Sequence, residues 1–252
     1  MPPAIALFGS KPKPAAEALT ESDLAFLRDW SDPYRLMRGA LKQEFERQIA
    51  AFIEETRMTG VALDKVQRED RLLVAASACT LSAGWPGYRW KDVTEVLLYP
   101  EDFDRDFQIA GDGAAEGELS GEAHPWGTVL LSLPSLDDSF DDPSDGYHVG
   151  YHEFAHILDR DSVEDSGFGD SMGGLPSNID GKFAKEMSRA LEAARAALER
   201  GASPLDRYGL ESPAEFWAVA VEGFFELRGA MADAHPDLTD LLDLYFNQRE
   251  KN

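Results

Sequence analysis

"YHVGYHEFAHILDR", residues 147–160, places His148, His152 and His156 at four-residue intervals. The chain has only five histidines, so three within nine residues need a reason. On a helix, positions four apart share a face, and two imidazoles there can grip one metal ion. The stretch contains His152-Glu153-Phe154-Ala155-His156, which is H-E-x-x-H. The two histidines stand one helical turn apart, and the glutamate beside the first falls next to a bound metal rather than on it. From there it can take a proton from a zinc-activated water and pass it to a leaving amine. His152 and His156 are the expected zinc ligands, and Glu153 is the expected general base.

His148 and His152 have the same spacing, but Val149 follows His148, so that pair has no base beside it. A helix also advances about 40° every four residues, so three successive histidines spiral and suit a tetrahedral ion poorly. His148 is therefore expected at the helix start or behind the site, with Asp145 or Ser144 as N-cap. Phe154, Ala155, Ile157 and Leu158 make the helix largely apolar and hence buried. Buried polar groups need partners, and one metal satisfies two imidazoles at once.

A catalytic zinc takes a third protein ligand. The extension HExxHxxGxxH is absent, because Asp159 and Ser162 stand where Gly and His would be. The best source is "YGLESPAEFWAVAVEGFFE", residues 208–226, where Glu215 and Glu222 share one face of an apolar helix. Ser212-Pro213-Ala214-Glu215 also reads as a capping box with Pro at the first helical position, which gives Glu215 a purely local alternative. On these grounds the ligand role stays open between Glu215 and Glu222. Asp159, seven residues after His152, is expected to support a histidine or form a salt bridge.

Working outward, "TEVLLYP" and "GTVLLSLP" read as short strands. The second could accept an extended peptide as an added strand or be an ordinary strand of the sheet. Thr20 with Asp23 opens a helix over "ESDLAFLRDW"; longer helices are expected over "YRLMRGALKQEFERQIAAFIEET" and "REDRLLVAASACTLSA", the latter closed by Gly84. The C-terminal third reads as helices over "KFAKEMSRALEAARAALERG", "SPAEFWAVAVEGFFELRG" and "DLTDLLDLYFNQRE". "SLDDSFDDPSDG" has five aspartates, but not at EF-hand spacing, and reads as a solvated loop. Residues 161–181 read as an irregular Gly-rich loop.

Composition sets limits. With 47 acidic and 24 basic residues, the formal charge of −23 argues against nucleic-acid and anionic-membrane partners. Cys79 is the single cysteine, so no internal disulfide can form. The N-terminus does not fit a secretory signal, and no stretch is long and apolar enough for a transmembrane helix, so a cytoplasmic location is expected.

From about Arg71 to Phe246 the chain resembles the Mlc titration factor A (MtfA) family of zinc-dependent peptidases. The resemblance rests on "TEVLLYPEDF", "GTVLLSLPSLDDSFD", "HEFAHILD" and "YGLESPAEFWAVAVEGFFE", in that order. It implies zinc held by His152, His156 and Glu215, Glu153 as base, Glu222 behind the ligands, and Tyr208 as hydrogen-bond donor to the developing oxyanion. It also implies a gluzincin-like site in a zincin-like metalloprotease fold, similar to the anthrax lethal factor catalytic domain. Family members are cytoplasmic peptidases with aminopeptidase-type activity on small substrates, and the namesake binds the glucose repressor Mlc. The loop at 111–125, "GYHVG" and the Gly-rich stretch depart from that pattern. These readings add up to an α+β chain, mostly helical with a small mixed sheet. A flexible tail over 1–19 precedes a single zincin-like catalytic domain over 20–250, whose helical part covers about 20–84 and whose sheet and active-site helices cover about 90–250. The expected function is zinc-dependent hydrolysis of peptide bonds. A zinc-binding regulatory protein that sequesters a transcriptional repressor is the alternative.

Overall fold

The computed structural model describes residues 18–103, 119–124, 127–166 and 181–246. The chain opens with helices α1 (Glu21–Trp30), α2 (Asp32–Leu36) and α3 (Gly39–Glu55), strand β1 (Arg57–Gly60) and helix α4 (Arg68–Ser82). Strands β2 (Glu95–Tyr99), β3 (Gly121–Ala123) and β4 (Thr128–Ser132) follow. Helices α5 (Leu133–Asp141), α6 (Val149–Ser166), α7 (Gly181–Glu199), α8 (Pro213–Glu226), α9 (Arg228–Ala234) and α10 (Pro236–Tyr245) complete the described chain, with a 3-10 turn at Arg207–Leu210 before α8. This is the expected α+β architecture, mostly helical with a small mixed sheet. All but the last two positions of the expected tail over 1–19 lie outside the described residues. Among the described residues, no helix is long and apolar enough to cross a membrane.

The sheet runs β1-β2-β4-β3; β1, β2 and β4 are parallel, and β3 is antiparallel to β4 at one edge. Alternation assigns the faces: Val96, Leu98, Val129 and Leu131 join the main core, whereas Tyr99 and Leu130 pack with Phe103 on the other face. The strand "GTVLLSLP" is paired on both sides, by β2 and by β3, so it has no free edge for an added peptide. Among the described residues the outer strands are β1 and, beside β4, β3. That strand and β1 went unpredicted because segments of three and four residues carry no usable alternation.

Several helix boundaries follow the sequence. Thr20 and Asp23 form the expected capping box at α1. The single long helix expected over residues 34–56 is instead two, because Met37 is extended and Gly39 has φ +55°, a conformation a Cβ disfavours. "SLDDSFDDPSDG" is not a loop over its first half. Ser132 caps α5, a proline sits in its first turn, and Leu136 and Phe140 are buried one turn apart beneath the aspartates. The stretch expected to be irregular over 161–181 begins as the last turns of α6, to Ser166; 167–180 lie outside the described residues.

Helix α6 is held from two sides. Gly150 lies so close to α4 that a Cβ there would overlap the Ser77 hydroxyl. From α8, the Trp217 indole N–H donates to the Ala155 carbonyl at 3.0 Å. Phe154, fully buried, meets Phe52 and Trp90 edge-on. These contacts fix the rotation of α6, and with it the face that carries His152 and His156.

Candidate metal centre

α6 begins just after His148 rather than at the expected caps. Asp145 accepts the Tyr147 N–H at 2.8 Å and so caps the preceding turn. His148 Nδ1 accepts the Tyr151 N–H at 3.2 Å, which makes His148 the residue that caps the helix. Its ring is buried between Phe140 and Tyr151, and burial drives its pKa down to about 3.

One turn on, His152 Nε2 lies 2.9 Å from Glu215 Oε2, and His156 Nε2 lies 3.4 Å from the same oxygen. Ligand atoms of these three residues all lie within 4.8 Å of one another. Two imidazoles and a carboxylate converging on one point are a donor set that fits a zinc ion. Ser212 does cap α8, accepting the Glu215 N–H at 3.1 Å. The Glu215 carboxylate does not close a capping box, however, and reaches the histidines instead. Glu222, two turns along α8, approaches the other side of the same imidazole, with Oε2 3.0 Å from His152 Nδ1. Both candidate glutamates thus meet His152, on opposite nitrogens. A proton held on Nδ1 by Glu222 leaves the Nε2 lone pair facing Glu215 and His156.

The charges of these side chains act on one another. Burial opposes protonation of His152, but Glu215 and Glu222 outweigh it and hold the pKa well above the ordinary histidine value. Burial raises the Glu215 carboxyl, but hydrogen bonds to His152 and His156 hold it far below the usual carboxylate range.

Glu153 is buried, and burial lifts its carboxyl above the ordinary range; His152 and His156 pull it down, while Glu215 and Glu222 push it up. Its neighbour across the cleft is Gly121 of β3, where an added Cβ would sit 2.6 Å from Glu153 Oε1. The residue before β3, Ser120, is hydrogen-bonded to the Tyr147 hydroxyl, which ties the edge strand to the segment that starts α6. A cleft of about 630 Å³ lies between these parts, and His152, Glu153, His156, Asp159, Tyr208 and Glu215 all line it. The Tyr208 ring stands 5.9 Å from that of His152, and Asp159 is close enough to His156 for the two charges to interact. Gly121, Glu122 and His124 also line the cleft, and none stood out in the sequence. A Gly-Glu-Ala strand buried in a Gly- and Glu-rich run gives no signal of its own.

H-E-x-x-H on one helix, a carboxylate from a second helix and a strand edge alongside are the parts of a metallopeptidase. A family model described as "Glucose-regulated metallo-peptidase M90" matches residues 10–247, and the chain belongs to that family. The chain is 27% identical over 236 residues to "Uncharacterized protein slr2042" of Synechocystis sp., covering 88% of this chain and 82% of that protein. It is 26% identical over 234 residues to Mlc titration factor A of Pectobacterium atrosepticum, covering 89% and 83%. Mlc titration factor A of Edwardsiella ictaluri is 27% identical over 236 residues, covering 88% and 82%. A metallopeptidase family implies a divalent metal, and His152, His156 and Glu215 are the candidate group for it among the described residues.

Proposed function

We propose that the chain is a cytoplasmic zinc-dependent peptidase in which His152, His156 and Glu215 hold the ion, Glu153 is the general base and Tyr208 donates to the developing oxyanion. The observation that carries this reading is the convergence of the three donors in a cleft whose wall also holds Glu153 and β3, the outermost strand of the sheet among the described residues. Bound zinc supplies Lewis acidity toward the scissile carbonyl and acidifies the attacking water. Glu153, its carboxyl raised by burial, is suited to receive the water's proton and deliver it to the departing amine. Tyr208 is 43% exposed at the cleft and can turn its phenol toward the carbonyl oxygen as charge develops there. Among the described residues no strand pairs with the outer edge of β3, so an extended peptide can add there and be held across Glu153. Glu122, on that same strand, offers a carboxylate for a substrate's free α-amine, which favours an aminopeptidase mode.

Hydrolysis of peptides and aminoacyl-anilides by wild type and Glu153→Ala tests the reading. The expected loss is about 10²–10⁴-fold, with zinc content unchanged. Equal rates would sink the peptidase assignment.

The relatives' name, Mlc titration factor A, supports a second role, binding of a transcriptional regulator. Calorimetry with an Mlc-type repressor tests it. Binding that persists in Glu153→Ala would separate that role from catalysis.

A further inference from the structure

A second cavity, about 990 Å³, shares no lining residue with the metal cleft of about 630 Å³ and takes no part in the proposed chemistry. Its size lies at the upper end of the range for small-molecule sites, about 300–1,000 Å³. Trp30, Leu36, Met37, Leu41 and Phe140 belong to its apolar wall. Leu36 is 76% exposed, the most of any large apolar side chain among the described residues, so apolar surface continues out to the rim. The charged residues of the wall decide what the cavity can hold. Asp32 pairs with Arg35, and Arg228 with Asp243. Glu44 is held by Arg47, by the Gln48 amide and by the Gly87 N–H at 2.7 Å. Burial and the neighbouring Asp145 charge push the Glu226 pKa up to about 9, so that carboxyl is uncharged at neutral pH. Its Oε1 and the His148 Nε2 are sealed beneath the wall and offer a ligand no contact. Arg38 differs. It is exposed and forms no ion pair among the described residues; its Nη1 donates to the Arg35 and Met37 carbonyls. Nε and Nη2 are left over, and that edge of a guanidinium takes a carboxylate through two parallel hydrogen bonds.

These features select the ligand's chemistry. Asp32, Glu44, Arg47 and Arg228 are each matched by an opposite charge, so Arg38 is the cation left over on the wall. An ammonium head would meet it like against like, and an uncharged head would leave it unmatched. We propose that this cavity binds a monocarboxylate with one apolar chain, its head paired with Arg38 and its chain against the apolar wall. Medium-chain fatty acids have this chemistry. The formal charge of −23 opposes an anion at long range. Salt screens that field beyond about 8 Å, whereas the pairing with Arg38 is a direct contact.

Calorimetric titration of the full chain with octanoate, octanamide and octylamine tests the proposal without any need for peptidase activity. Octanoate is expected to bind with a Kd below about 1 mM and about fivefold tighter than octanamide, with octylamine the weakest. The factor is modest because Arg38 is exposed and solvent screens its pairing. Arg38 is the N-cap of α3 but makes no side-chain cap hydrogen bond, so Arg38→Gln removes no cap. That variant should weaken octanoate about fivefold and leave octanamide unchanged, whereas a merely structural loss would weaken both. Ala40→Trp narrows the cavity from an exposed position and is expected to abolish binding at unchanged Tm, which tests the site even if Arg38→Gln fails to fold. Absence of octanoate binding, or octanamide or octylamine bound as tightly as octanoate, would overturn the proposal. So would an Arg38→Gln variant that keeps full octanoate affinity or weakens both probes equally, or undiminished binding by Ala40→Trp.

Discussion

Glu222 Oε2 lies 3.0 Å from His152 Nδ1, while its other oxygen accepts the His148 backbone N–H at 2.8 Å. Both oxygens are thus engaged by a carboxylate that is 2% exposed on α8. Glu222→Gln should break this arrangement. The amide oxygen would stay on the His148 N–H, which turns the amide N–H₂ toward His152 Nδ1, donor against donor. The imidazole would then favour a proton on Nε2, the nitrogen proposed to bind zinc. Zinc affinity is expected to fall about 10–100-fold, measured by competition with a chromophoric chelator. Glu215→Ala should lose more, since it removes a donor atom outright. Wild-type affinity in both variants would refute the ligand assignment.

Gly121 leaves no room for a side chain beside the proposed base. In Gly121→Ala, the new Cβ would lie 2.6 Å from Glu153 Oε1 and 2.8 Å from a Val149 methyl, so the strand or the carboxylate must shift. Displacement of a catalytic group by about 1 Å can cost about 10²-fold. The expected result is a fall of that order in kcat, read by peptide hydrolysis, with zinc content retained. Unchanged kcat would mean that β3 does not position Glu153.

Glu122 separates two modes of cleavage. If its carboxylate receives the substrate's α-amine, Glu122→Gln should raise KM for peptides with a free N-terminus and leave N-acetylated peptides unaffected. A uniform effect on both substrate types would assign Glu122 to the structure of the edge strand.

What is legible in the sequence follows from range. The H-E-x-x-H motif lies within five residues of one helix, so spacing alone makes His152, Glu153 and His156 the candidates. The choice between Glu215 and Glu222 is not legible, because both lie on one face of α8 and both reach His152. Only the packing of α8 on α6 decides which nitrogen each one meets. Gly121 is invisible for a related reason, since its role comes from a contact with Glu153 that no local pattern encodes. α5 is hidden by composition, its two buried apolar positions outnumbered by aspartates. The break between α2 and α3 depends on backbone angles at Met37 and Gly39 that a continuous apolar pattern masks.

Asp23 offers a test of the fold away from the site. It closes the capping box of α1, and its carboxylate also takes two hydrogen bonds from Arg68 at 2.9 and 3.0 Å, which clamps α1 to α4. The Arg68 hydrogen bond outweighs burial and lowers the Asp23 pKa from 3.8 to about 2. The native state therefore binds the Asp23 proton less readily than the unfolded chain does. The resulting stability is fully present above about pH 4 and is lost as pH falls toward 2. Arg68 is 44% exposed, so solvent screens the pair and the contribution is about 1–2 kcal/mol. Asp23→Asn should lose that amount in urea unfolding at pH 7. The gap between variant and wild type should shrink by about half at pH 3. A gap that stays constant across this range would assign the loss to the helix cap rather than to the charge.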